Sequence, residues 1–212
     1  STGISGISLG PNTTASGNRS VSIGDSASAT GGGSTAIGQN ASVTGGFSTA
    51  LGYGATVTAS TAAIAINDAT ASGIGSMAVH DNALSSGLYS MAIGYWSQAT
   101  GSSATALGYS AEATAESSTA LGHGAQANAI DSIAIGNDAS SDNLGSIAIG
   151  ADSDAARIGS IALGKDAQAT GSGSTIAIGE FATTFNGLAS PIAIGYQANT
   201  TGAYGVGLGY QT

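Results

Sequence analysis

The sequence predicts an all-β chain wound as a parallel β-solenoid of about fifteen 14-residue coils, and three observations carry this. First, one short segment recurs along the whole chain. With Ile149 of Ser146-Ile147-Ala148-Ile149-Gly150 as the anchor, equivalents stand at Leu9, Ile23, Ile37, Leu51, Ile66, Val79, Ile93, Leu107, Leu121, Ile135, Leu163, Ile178, Ile194 and Leu208. Ten of the fourteen intervals are 14 residues and the others are 15, 13, 15 and 16. A period held along a chain marks units that bury their apolar faces against their neighbours. Second, the pattern inside a unit has period two: Ser146, Ile147, Ala148 and Ile149 alternate small and large, as a strand does. Third, Gly follows thirteen of the fifteen anchors, and the other two carry Asn67 and His80. Gly, Asn and His are the residues that tolerate positive φ, so the chain is expected to turn sharply after every anchor.

Each element follows from that unit. The first coil, Ile7-Ser8-Leu9-Gly10, runs into Pro11, whose missing donor suits a turn or a sheet end. Coils two to four read Val21-Ser22-Ile23-Gly24, Thr35-Ala36-Ile37-Gly38 and Thr49-Ala50-Leu51-Gly52. The irregular pair around Ile66 and Val79 comes next, then strict spacing from Ser90 to Ala169, two longer coils, and the last copies at Ile194 and Leu208. Four residues past the anchor a second alternation begins, as in Ala125-Gln126-Ala127 and Ala167-Gln168-Ala169, often followed by Gly (Gly17, Gly31, Gly45, Gly87, Gly101, Gly171, Gly202). Strand, turn, strand, turn fills 14 residues. A helical crossover between parallel strands would need a dozen residues on its own.

Composition narrows the function. The chain has 212 residues, a net charge of −9, and 7 % charged residues against roughly 25 % in ordinary domains. Its three cations, Arg19, Arg157 and Lys165, cannot form the basic surface that nucleic acid or an anionic membrane requires. With no cysteine there is neither a disulfide framework nor a thiolate metal site. No apolar run reaches 18 residues, so direct membrane insertion by this segment is not expected. Disorder is excluded by 42 % apolar content placed periodically.

Side-chain size distinguishes the two faces of the first strand. The large anchors, with Val21, Met77, Ile133 or Thr two places before them, are expected to fill the coil interior. The position between is Ala in twelve of fifteen coils. It is expected to face outward, so that Ala36, Ala50, Ala92, Ala106, Ala120, Ala134, Ala148 and Ala162 form a small, flat strip on which identical chains meet.

The segments Ser34 to Gly45 and Ser160 to Gly171 resemble the head repeat of trimeric autotransporter adhesins of the YadA type. The resemblance extends from about Ile7 to Gly209. It implies a left-handed parallel β-roll, a homotrimer, and a place at the tip of a bacterial surface fibre, with neck, stalk and outer-membrane anchor outside this segment. It also implies attachment to host extracellular-matrix proteins, cells or abiotic surfaces. On this reading residues 1–212 are one head domain, a fragment of a longer fibrous protein. The alternative is a structural or receptor-binding segment of a trimeric phage tail fibre.

Chemical motifs are weak beside the repeat. Gly159 to Lys165 spells most of a phosphate loop, but Asp166 stands where a magnesium-binding hydroxyl belongs and no helix pattern follows. Gly6-Ile7-Ser8-Leu9-Gly10 matches a nucleophile elbow only because Ser8 occupies the Ala position of the first coil. His80 and His123 are turn residues. Asp138, Asp152 and Asp166 share one turn position and read as a solvated acidic strip, not a calcium site. An ice-binding solenoid would need an unbroken Thr ladder before the anchors, and Ile64, Met77 and Met91 break it. No catalytic residue, cofactor or metal site is expected. The surface candidates are Tyr53, Tyr95, Tyr109, Tyr196 and Tyr210, each two past an anchor, with Trp96 beside Tyr95. Their large area and polar tips suit packing at a subunit boundary or contact with a receptor.

Overall fold

The structure, a computed structural model, describes residues 2–59, 61–185, 189–200 and 202–211. Every regular element among them is a strand. Residue contacts group the chain into two units, Ser1–Ala104 and Thr105–Thr212.

In the first unit seven three-residue strands, from Ile7–Leu9 to Met91–Ile93, stack as one parallel sheet. Seven two-residue strands, from Thr14–Ala15 to Gln98–Ala99, stack as another. The second unit repeats the plan with eight first strands, Thr105–Leu107 to Val206–Leu208, and seven second strands, Glu112–Ala113 to Asn199–Thr200. The solenoid read from the period is present in both units. Register is that of the repeat: Ile133 pairs with Ile147 and Ala134 with Ala148. The irregular intervals do not disturb it. Ile64 pairs with Met77 and Ile176 with Ile192, so the missing and extra residues are taken up in the turns.

The turn after each anchor behaves as its residues require. All fifteen positions have positive φ, including Asn67 at 54° and His80 at 96°. At Gly38, with φ 133°, a Cβ would also collide with the Gly52 carbonyl of the next coil. Two residues further on, φ is positive again, which favours the short polar residues Asn40, Ser110, Asp138, Asp152 and Asp166, although Trp96 and Phe181 adopt the same region. The second turn is held from inside. Ser34, Ser90, Ser118, Ser146 and Ser160 donate their hydroxyls to the carbonyl three residues back, at 2.6, 2.7, 2.7, 2.6 and 2.7 Å.

The sense of the two faces is the reverse of the expectation. Ala36, Ala50, Ala92, Ala106, Ala120, Ala134, Ala148 and Ala162 are each 0 % exposed within a single chain, so they line the coil interior and cannot be a strip where chains meet. They pack with second-strand residues such as Ala29, Ala41, Val43 and Val57 in the first unit, and Ala155, Ala167 and Ala169 in the second. The anchors and the residues two before them face outward. Width is the physical reason. Sheets faced with large side chains sit about 10 Å apart, whereas strands joined by turns this short enclose room only for Ala, Ser, Thr and Val. Val43 and Val57 are the largest apolar side chains buried between the strands.

Candidate functional site: two unlike outer faces and a column of aromatics

Because the small residues occupy the interior, the coils present two outer faces of different character, the coil with Leu84 on its second strand excepted. Over the first strands of the second unit the outer residues are Thr105 and Leu107, Thr119 and Leu121, Ile133 and Ile135, Ile147 and Ile149, Ile161 and Leu163, Ile176 and Ile178, Ile192 and Ile194, then Val206 and Leu208. None is charged. They stay half-buried to exposed in the isolated chain, with Leu107 at 46 % and Ile149 at 38 %. The first unit has the same face, ending in Met77, Val79, Met91 and Ile93. Over the second strands the outer residues are polar with one exception: Thr14, Ser28, Ser42, Thr56, Thr70 and Gln98 in the first unit, interrupted by Leu84, and Glu112, Gln126, Ser140, Asp154 and Gln168 in the second.

Soluble monomers rarely leave rows of large apolar side chains in water, and such rows are characteristic of association surfaces. The polar face supports no such packing. On it, Asp142 accepts hydrogen bonds from Asn128 at 3.0 Å and Ser140 at 2.9 Å. Nearby, burial holds the Asp154 carboxyl above its ordinary pKa; Asp142 adds to the rise and Arg157 opposes it.

The six aromatic candidates all project from the turn after the anchor, and the structure joins some of them. Tyr196 and Tyr210 stack with ring centres 5.1 Å apart, and Phe181 meets Tyr196 edge-on at 6.1 Å. The Lys165 ammonium lies 5.4 Å from the Phe181 ring centre. Tyr109 stacks on His123 at 5.1 Å, and His123 lies 3.8 Å from Asp138. Tyr95 stacks on Trp96 at 5.5 Å, with His80 edge-on at 6.0 Å. Tyr53 stands apart from these ring contacts, beside Asn67, Asp68 and Asp81. His80 in the first unit, and His123 and Phe181 in the second, thus join the aromatic groups of their own units, which a search for Tyr alone overlooks. Their position next to the anchors was the available signal.

Among the described residues no three His, Cys, Asp or Glu side chains gather into a metal-binding group. Ser8 lies within the first strand and Gly159 to Lys165 spans a turn and a strand, so neither motif occupies the setting its chemistry needs.

Comparison with known proteins bears on the same features. The family described as "YadA head domain repeat" matches residues 1–27, 29–55, 85–111, 113–139, 127–153, 141–167, 155–182 and 192–212, well over half of the chain. Among solved structures, the collagen-binding domain of the Yersinia adhesin YadA aligns with 99 % of this chain and 83 % of its own, at 22 % identity and a TM-score of 0.31. A score that low supports no superposition of the two. No curated protein sequence matches.

Proposed function

Because the chain belongs to the YadA head domain repeat family, we propose that it is the non-catalytic head of a bacterial surface adhesin. It acts as a homotrimer that attaches its cell to host matrix proteins, host cells or abiotic surfaces. The observation that carries this is the uncharged apolar face of the first strands. Three chains that bring these faces together around a common axis cover the Ile, Leu, Val, Met and Thr columns and turn the polar second-strand faces outward. The strip of contact is therefore the anchor column, with Ile135 and Ile149 in it, and not the alanine column.

Attachment then rests on repetition. Each coil repeats the features of the last and each chain repeats them threefold, so contacts that are individually weak add through effective concentration. With few charges on the surface, those contacts are hydrogen bonds from Ser, Thr, Asn and Gln together with the exposed first-turn aromatics. They depend only mildly on ionic strength. The head sits at the cell surface on a fibre whose outer-membrane anchor lies outside this segment.

Adhesion of the isolated head to collagen, fibronectin and polystyrene, measured across salt concentrations, tests this. Associated head is expected to adhere more strongly than head dissociated by substitution at the anchors, with little salt dependence. Equal adhesion by the two forms contradicts a multivalent mechanism, and no adhesion to any surface leaves a passive spacer.

A further inference from the structure

The second-turn corner of the first four coils holds a cleft of about 540 Å³, lined by Ile4, Asn18, Arg19, Gly32, Gly33, Gly46 and Phe47. It shares a glycine under an aromatic ring with the corner formed by Gly75 and Tyr89, and differs in its cation: Arg19 stands where that corner has Ala62. Gly32 and Gly33 place no side chains in the third coil, so the Phe47 ring of the fourth coil leans over Gly33 and forms one wall, with Arg19 of the second coil beyond it.

Phe47 is 79 % exposed and has φ 53°, a backbone region that a bulky side chain enters at a cost. Equivalent positions hold Gly33, Gly75, Gly145 and Gly159, and also Tyr89 and Tyr204, each at φ 55°, so positive φ belongs to this corner of the repeat and an exposed ring recurs on it. One edge of its ring rests at Gly33, where a Cβ would stand 3.0 Å from Cδ1. The rest faces the solvent. An exposed ring of this size offers a flat apolar face to a ligand.

The charge pattern agrees. In the first unit every acid, Asp25, Asp68 and Asp81, lies in the first turn, and the second-turn corner has none from Gly3 to Ser103. Arg19 is the unit's one cation, and among the described residues no carboxylate pairs with it. Asn18 uses its side-chain oxygen to accept from the Ile4 amide at 3.2 Å, which leaves its NH₂ as a donor.

We propose that this cleft binds a sugar ring that bears a single carboxylate. The Arg19 fork pairs with the carboxylate, the apolar C–H face of the ring lies on Phe47 and Ile4, and the Asn18 amide donates to a hydroxyl. One guanidinium in a chain of net charge −9 selects a monoanionic sugar over a sulfated polyanion, which the overall field repels. The site gives the attachment function above a ligand class. It rests on that reading for its biological use alone, since binding is measured in solution and surface adhesion separately.

Isothermal titration of the full chain with sialyllactose and a hyaluronan tetrasaccharide separates the two sources of such a sugar. Lactose and chitotetraose are the uncharged controls. At least one carboxylated sugar is expected to bind and its neutral control not to. Arg19→Gln and Phe47→Gly should each weaken binding by about tenfold or more while circular dichroism stays unchanged, because both side chains are exposed. Arg19→Lys should fall between, and Asp25→Asn should bind as the parent does. Failure of both carboxylated sugars, equal binding of the neutral ones, or full binding by both Arg19→Gln and Phe47→Gly overturns the proposal.

Discussion

Ala134 and Ile135 are neighbours in the sequence and stand on opposite sides of the coil wall: Ala134 has no exposed surface, and Ile135 remains half-exposed in the isolated chain. Their consequences on substitution should therefore separate. Ala134→Leu adds three carbons to an interior in which, among the described residues, the largest buried apolar side chains between the strands are Val, and is expected to cost about 1–3 kcal/mol through overpacking. Thermal melts at fixed protein concentration check this. Ile135→Asp should leave the coil folded by circular dichroism and act on association instead.

The contrast shows which part of the fold was legible. The period, the strands and the turn after each anchor follow from Gly136, Gly150 and their exceptions Asn67 and His80, because backbone geometry restricts which residues can stand there. Which face looks inward did not follow. A period of two reads the same from either side, and what decides the matter is the width between the strands, set by turn length and invisible in the alternation. The signal that could have settled it lay in the second strand. In Ala167-Gln168-Ala169 the polar residue must face water, so small residues point inward there, and a thin interior asks the same of Ala162. The buried role of Ser146 and its equivalents was missed for a similar reason: Ser three before an anchor looks like a surface residue until the hydroxyl is seen to close the second turn. Of the aromatic column, Tyr53, Tyr95, Tyr109, Tyr196 and Tyr210 were visible by position. The His123 and Phe181 contacts needed the stacking of coils.

Ser22 occupies the interior position that is Ala in most coils, is 0 % exposed, and its hydroxyl has no hydrogen-bond partner. A buried hydroxyl without a partner forfeits its hydration with no return. Ser22→Ala is expected to raise stability by about 1 kcal/mol, seen as a higher melting temperature. A lower one would mean that the hydroxyl is satisfied.

Gly38 combines φ 133° with a carbonyl from the next coil in the place a Cβ would take. Gly38→Ala is expected to destabilise by about 2 kcal/mol. Gly145, with φ 62° and nothing near its Cβ position, makes the control. Gly145→Asn should be tolerated, since Asn40 holds the left-handed region at 58° elsewhere in the fold.

Burial raises the pKa of Asp154, with Asp142 adding to the shift and Arg157 opposing it. The folded chain therefore holds this proton more tightly than the unfolded chain. Its effect on stability is most favourable below the unfolded carboxylate pKa, and stability declines as pH rises through the window up to the folded value. Asp154→Asn is expected to remove that decline, so the variant gains on the parent above the window and not below it. Chemical denaturation at a series of pH values reads this directly. A parent and variant that lose stability in parallel as pH rises would contradict the assignment.

The association surface is tested most directly by sedimentation equilibrium of the parent chain beside the double variant Ile135→Asp, Ile149→Asp at micromolar concentration. If the outer first-strand face joins the chains, the parent sediments as a trimer and the variant as a folded monomer. A parent that stays monomeric, or a variant that remains trimeric, would contradict it.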